Sequence, residues 1–244
     1  MTKIVKTQTW IQSILSSTTT LTSNQQETKK KKKTCKCDKY DYKGLITDRP
    51  HLTLICGKKG SGKSHLCCKL LLTSWRYKYD DVIFVSPTFR SQFDGLWNKL
   101  SPDGIVVHET LTEDLVNNIL ASVSNNKQRK TLLVLDDCGE EFRKISPRVV
   151  NLLISNSRHY NLSIVCLHQR LLQSPPIVRS NADVVIAFAA CSYQEIECLW
   201  KMVATVPRRQ FQAMFAECTQ TQNSFMVCMV SLVDKGGRLK FYQC

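Results

Sequence analysis

The sequence is poor in glycine, in proline and in negative charge. Nine glycines and seven prolines in 244 residues exclude collagen-like and low-complexity architectures and make the position of each glycine informative. No uninterrupted apolar run reaches the roughly 18 residues that a spanning helix needs. The first residues also lack the apolar core of a secretory signal, so a soluble, intracellular protein with no membrane span is expected. Acidic residues number 20 against 34 Lys and Arg, giving a formal net charge of +14. That balance points to polyanionic partners without identifying one. No internal repeat is visible.

Cysteine, by contrast, is plentiful, with twelve in the chain. Cys56, Cys67, Cys166 and Cys228 fall inside apolar strand or helix patterns, where a reduced thiol packs as a small hydrophobe. Cys35 and Cys37 form a C-x-C, but no second pair at metal-site spacing follows, and thiols in a polar segment are the plainer reading than a zinc site. Residues 1–50 hold eleven Lys/Arg and four Asp/Glu, half of the net positive charge. This segment is rich in Thr, Ser, Gln and Lys and cannot bury a core. It is expected to be a flexible, disordered basic tail, with one ATPase domain over 51–244. Within it the run Lys29–Lys33 reads as an import signal, a nucleic-acid patch or a solvated charge run.

From His51 onward, short apolar runs alternate with longer helical patterns, the mark of a mostly parallel sheet flanked by helices. Strands are predicted at Leu52–Cys56, Val82–Ser86, Ile105–His108, Thr131–Asp136, Leu162–Leu167 and Asp183–Phe188. Helices are predicted at Lys63–Tyr77, Ser91–Leu100, Thr112–Val123, Ser146–His159, Gln194–Val203 and Pro207–Cys218, the fourth with Ser146 as N-cap and Pro147 at the first helical position. Phe225–Val233 and Leu239–Tyr242, separated by Asp234-Lys235-Gly236-Gly237, read as a C-terminal β-hairpin.

Three of the nine glycines lie in the stretch ICGKKGSGKSHL, Ile55–Leu66. Gly57 to Gly62-Lys63-Ser64 has P-loop spacing, and the preceding strand and following helix are the context that motif needs. Gly57, Lys58, Lys59, Gly60, Ser61, Gly62, Lys63 and Ser64 are the expected cradle for ATP. Backbone N–H groups face the phosphates, Lys63 adds a charge, and Ser64 is positioned to ligate Mg²⁺. TLLVLDD, Thr131–Asp137, has the form of a Walker B strand, with Asp136 expected at the metal and Asp137 expected to polarise the attacking water. Glu140 and Glu141 are rival bases. A third strand ends in His168-Gln169-Arg170, which places the Gln169 amide at a sensor position beside the γ-phosphate. His168, with no second histidine at ligand spacing, reads as a packing or phosphate-edge residue.

With these residues in view, the sequence resembles the FtsK–HerA superfamily of DNA-pumping ATPases. The resemblance rests on the strand ending in Gln169-Arg170 and on Arg179-Ser180-Asn181 before the next strand. More narrowly, it is similar to the viral genome-packaging ATPases of poxviruses, virophages and Polinton-like elements. The shared features are VIFVSPTF (Val82–Phe89), the doubled Asp136-Asp137, Ser157-Arg158-His159-Tyr160 and SFMVCMVSL (Ser224–Leu232). Resemblance covers about residues 51–242. It departs from the cellular branch in carrying Asp137 where many relatives have Glu, and no segment reads as the winged-helix domain that cellular DNA pumps append.

The resemblance implies a RecA/FtsK–HerA-like P-loop NTPase that hydrolyses ATP with Mg²⁺ and translocates viral double-stranded DNA into a capsid. It further implies a homo-oligomeric ring, a capsid or portal partner, and residence in an infected cell's nucleus or cytoplasmic viral factory or with the virion. Arg158 takes the place of a basic residue upstream of the sensor strand and is expected either to act as an arginine finger on a neighbouring subunit or to cap its helix. Arg170 and Arg179 are alternatives. GEEFRKISPR, Gly139–Arg148, reads as a loop offering Arg143, Lys144 and Arg148 either to DNA phosphates or to solvent. A helicase or other nucleic-acid remodeller is the alternative function, followed by a small-molecule kinase and a nucleotide-gated scaffold without turnover.

Overall fold

The computed structural model describes residues 38–39, 49–73, 75, 77–88, 105–189, 192–203, 206–230 and 240–243, with backbone alone at 38–39 and 240–243. The predicted helix at 91–100, the hairpin turn at 234–237, the basic run 29–33 and the Cys35/Cys37 pair lie outside these residues.

After an unpredicted β1 (Asp38–Lys39), the first strands and helices follow the predicted alternation: β2 (Leu52–Cys56), α1 (Lys63–Leu72), β3 (Asp81–Val85), β4 (Ile105–His108), α2 (Glu113–Asn125) and β5 (Thr131–Asp136). They are followed by α3 (Gly139–Lys144), α4 (Pro147–Asn156), β6 (Leu162–His168), α5 (Pro176–Ser180) and β7 (Val184–Phe188). The chain continues through α6 (Tyr193–Val203), α7 (Arg208–Cys218), β8 (Phe225–Met229) and β9 (Lys240–Gln243). One mixed sheet runs β1-β9-β8-β7-β2-β6-β5-β3-β4. The six strands from β7 to β4 are mutually parallel, β8 is antiparallel to both β7 and β9, and β1 lies parallel to β9. The antiparallel β8–β9 pair is the expected C-terminal hairpin, while β1 falls within the segment expected to be tail.

Alternation along the strands divides the core between two faces. Leu52, Leu54, Cys56, Leu133, Leu135, Ile164 and Cys166 pack with α2, α4, α6 and α7. Ile55, Leu132, Val134, Val165, Leu167 and Ile186 pack with α1 and Trp75 on the other face. The strands β2, β5, β6 and β7 are buried at every residue, and each Leu, Ile or Val so removed from water contributes about 1.5–3 kcal/mol before entropy is charged. The eight described cysteines are all thiols, seven of them buried, in keeping with the small-hydrophobe reading.

Local chemistry sets the element ends. Thr112 caps α2 by accepting from the Leu115 amide at 3.2 Å, with Glu113 and Asp114 in the first turn. Ser146 stands at the N-cap of α4 without a side-chain cap; instead its amide donates to Glu113 Oε2 at 2.8 Å. The helix predicted through His159 stops at Asn156, continues as a 3₁₀ turn over Ser157–Tyr160, and reverses at Asn161 in the left-handed region. The helix predicted through Tyr77 stops at Leu72, where Thr73 bonds back to the Lys69 carbonyl and the chain turns to bury Trp75. The predicted loop at 139–148 begins as the helix α3.

Candidate active site

Ligands of parallel α/β sheets sit beyond the carboxyl ends of the strands, and β6 is inserted between β2 and β5. The P-loop strand, the sensor strand and the acidic strand therefore end side by side. Cys56 is in register with His168, and Asp136 with Leu167. Two backbone bonds continue these ladders past the strand tips, Gly57 N to His168 O at 3.2 Å and Asp137 N to Leu167 O at 3.0 Å. Gly57, Asp137 and Gln169 thus share one edge.

The P-loop requires glycine for two different reasons. At Gly57 a Cβ would come within 2.6 Å of Phe188 Cβ and 2.7 Å of Ser61 Oγ, so the loop packs too closely for any side chain. Gly62 is needed for its backbone, whose φ of 99° is left-handed at the N-cap of α1. Lys63 is buried, and its ammonium donates to the Gly57 carbonyl at 2.7 Å and the Lys58 carbonyl at 3.0 Å. Ser61 Oγ is buried without a protein partner. An orphaned hydroxyl, a folded-back lysine and a helix N-terminus are features a triphosphate would satisfy.

Asp136 is buried at the tip of β5, where its Oδ2 accepts from Ser86 Oγ at 3.3 Å. Burial raises its pKa to about 6, reinforced by Asp137 and opposed by the Ser86 bond and Lys63. Ser86, the last residue before Pro87 at the end of β3, received no role from the sequence; its signal was a small hydroxyl closing an apolar strand. Among the described residues no group of three His, Cys, Asp or Glu side chains could hold a metal alone. Ser64 and Asp136 supply hard oxygens of the kind Mg²⁺ takes when nucleotide phosphates and water complete its shell. The donor set fits that ion.

Asp137 adopts a φ of 58°, a left-handed conformation that Asp tolerates better than most residues. This turn ends β5 and aims the carboxylate at the sensor, so that Gln169 Nε2 donates to Asp137 Oδ2 at 2.8 Å. Glu140 is exposed and paired with Arg143 at 3.0 Å, while Glu141 Oε2 is buried without a partner. His168 is buried behind the edge beside Phe142, with ring centroids 6.4 Å apart. Desolvation lowers its pKa to about 4, against the pull of Asp137, and the ring is neutral.

The three arginines are each engaged by another group of this chain. Arg158 Nη2 donates to Asp183 Oδ1 at 2.7 Å, and Asp183 Oδ2 accepts the Leu52 amide at 2.8 Å. These groups sit at the amino ends of β6, β7 and β2, a strand length or roughly 20 Å from this chain's own P-loop. Arg170 approaches Glu195 Oε1 at 3.8 Å, and Arg179 donates to the Ser174 carbonyl. Glu195, a second residue without a sequence assignment, is buried in the first turn of α6 and lines a small pocket with Gly57 and Gln169.

Fold and site together define a P-loop nucleotide-binding domain on a mostly parallel sheet. The chain belongs to the family described as Poxvirus A32 protein, which matches residues 37–235. It is 28% identical over 153 residues to the uncharacterized protein 015R of Frog virus 3 (isolate Goorha), a match spanning 60% of this chain and 46% of that protein. An uncharacterized protein of Acanthamoeba polyphaga mimivirus is 25% identical over 214 residues, 81% of this chain and 72% of its own. Among solved structures, the genome packaging NTPase B204 of Sulfolobus turreted icosahedral virus 2 in complex with AMPPCP superposes with a TM-score of 0.58. That match has 20% identity and covers 81% of this chain and 99% of that one. Identity at this level reports a common fold.

Proposed function

We propose that this ATPase is a packaging motor that drives viral double-stranded DNA into a capsid, working as a homo-oligomeric ring with a capsid or portal partner. The observation that carries the reading is the Gln169–Asp137 hydrogen bond at the edge shared with Gly57. It joins the side chain suited to sensing a γ-phosphate to the carboxylate suited to accepting a proton from water.

ATP enters with its phosphates on the amides of residues 57–64, and the Lys63 ammonium turns from the Gly57 and Lys58 carbonyls onto phosphate oxygens. Ser64 and Asp136 would hold Mg²⁺, which when bound would neutralise charge on the phosphates. Asp137 takes the proton of the attacking water while Gln169 orients that water. Arg158, remote from its own cradle, serves the neighbouring subunit's γ-phosphate in trans. Because α3 begins two residues after Asp137, a shift of that carboxylate is passed directly to the segment carrying Arg143, Lys144 and Arg148.

The test is ATPase rate with and without duplex DNA, paired with the mass of the assembly. Stimulation by duplex and a closed oligomer are expected. An unstimulated rate in a monomer would defeat the motor reading, and strand separation would move it to the helicase class.

A further inference from the structure

At the amino ends of the strands, on the edge opposite the nucleotide cradle, the surface closes into a small polar pocket. Its walls are Arg49, Lys78, Tyr79, Lys130, Asn161 and Ser163. The sequence builds it from three connections. The chain leaving α1 buries Trp75 and presents Lys78 and Tyr79 on its way into β3. The α2–β5 connection ends in Lys130, whose amide donates to Asp80 Oδ2 at 2.8 Å. Asn161 holds a left-handed φ of 55° at the entry to β6, leaving buried Ser163 as the floor.

The charge around the pocket is unbalanced. Of the carboxylates nearby, Asp81 is taken by Arg129 through two bonds of 2.7 Å, and Asp183 by Arg158 and the Leu52 amide. Asp80 lies at the rim and accepts the Lys130 amide. Among the described residues no carboxylate lines the pocket, and Lys78 and Lys130 have no ion-pair partner. Lys78 and Lys130 beside the Asn161 amide match the several oxygens of one phosphate. The positive surface extends along the same edge through Lys127, which lies 5.6 Å over the Tyr160 ring. Such a strip suits a polyanion better than a single small anion.

We propose that this pocket holds a backbone phosphate of duplex DNA, at a contact separate from the nucleotide cradle. The inference rests on the DNA-motor reading above and adds to it a particular surface.

The experiment compares the full chain with the double variant Lys78→Gln/Lys130→Gln. A charge-matched control carries Lys201→Gln/Arg209→Gln on the exposed surfaces of α6 and α7. Duplex affinity is measured by fluorescence anisotropy over a salt series, and ATP affinity and basal hydrolysis are followed in parallel. Each phosphate contact contributes about 0.9 to the slope of log affinity against log salt. The pocket variant, which loses one phosphate contact, should therefore lose about 0.9 from that slope, or roughly 5-fold in affinity at 0.15 M if the curves meet at 1 M. Its basal ATPase should be unchanged, and the control should keep the wild-type slope. Equal slopes in wild type and pocket variant would overturn the pocket alone. A control that falls as far as the pocket variant would reduce the effect to net charge and overturn it too. A change in ATP affinity in place of duplex affinity would assign the pocket to a neighbour's nucleotide, against the proposal. Absence of duplex binding by the wild type would defeat both this inference and the motor reading.

Discussion

Replacing Asp136 by asparagine is expected to stabilise the nucleotide-free protein while abolishing its turnover. The carboxyl is buried at the tip of β5 and its pKa is raised from 3.8 to about 6. The folded state thus binds its proton more tightly than the unfolded state does. Stability from this group is fully present below pH 3.8 and is lost as pH rises through 6. A displacement of about two units corresponds to roughly 3 kcal/mol withheld from the folded protein at pH 8. Asparagine keeps the shape and a partner for Ser86 but never ionises. In a domain of this size 3 kcal/mol is about 6–12 °C in melting temperature. Melts of both proteins without nucleotide and with chelator should show the variant higher by that margin at pH 8. By linkage the margin should fall to about half at pH 5. ATP with Mg²⁺ should raise the wild type far more than the variant. A variant no more stable at pH 8, or a margin that acidification leaves unchanged, would refute the burial argument.

Three further outcomes are expected. Asp137→Asn and Gln169→Ala should each bind ATP and lose hydrolysis by at least about 100-fold, whereas Glu140→Gln should cost little; single-turnover hydrolysis alongside ATP binding gives the order, and a reversed order transfers the base to Glu140. Gly57→Ala should destabilise by about 1–3 kcal/mol in chemical denaturation and weaken ATP binding, because its Cβ meets Phe188 at 2.6 Å. Arg158→Ala and Lys63→Ala should each silence a homogeneous assembly, and mixing the two should restore part of the ATPase rate at junctions holding one intact P-loop and one intact arginine. No recovery, with subunit exchange confirmed by labelled proteins, would leave Arg158 as the structural partner of Asp183.

The parts legible in the sequence were those whose chemistry is written in a few contiguous residues. Ile55–Leu66 displays strand, turn and helix together, and Thr131–Asp137 shows an apolar run closed by acids. Both also fixed where strands end, because an apolar run followed by glycine or paired carboxylates has little choice of boundary. Contacts between distant segments were not legible. The Ser86–Asp136 bond spans 50 residues and the Arg158–Asp183 pair 25, and nothing local marks either partner for the other. Helix ends failed where tertiary demands overrode pattern: Trp75 had to reach the core, and Asn161 had to turn the chain into β6. Six-residue α3 was missed because GEEFRK buries only Phe142, too little for a helical period to show.

The buried thiols give this enzyme a built-in chemical record of its own opening. Burial pushes Cys56 and Cys166 up to about 12 and raises Cys67 and Cys138 as well, so at neutral pH these sulfurs are neither accessible nor ionised, as alkylation requires. At these four thiols a maleimide pulse therefore marks only molecules in which the surrounding structure has parted. Cys56 adjoins the P-loop and Cys138 adjoins the acidic turn, whereas Cys166 lies in the interior of β6. Modification of the first two without the third would register a loosening of the catalytic edge, and simultaneous modification of all three would register global unfolding.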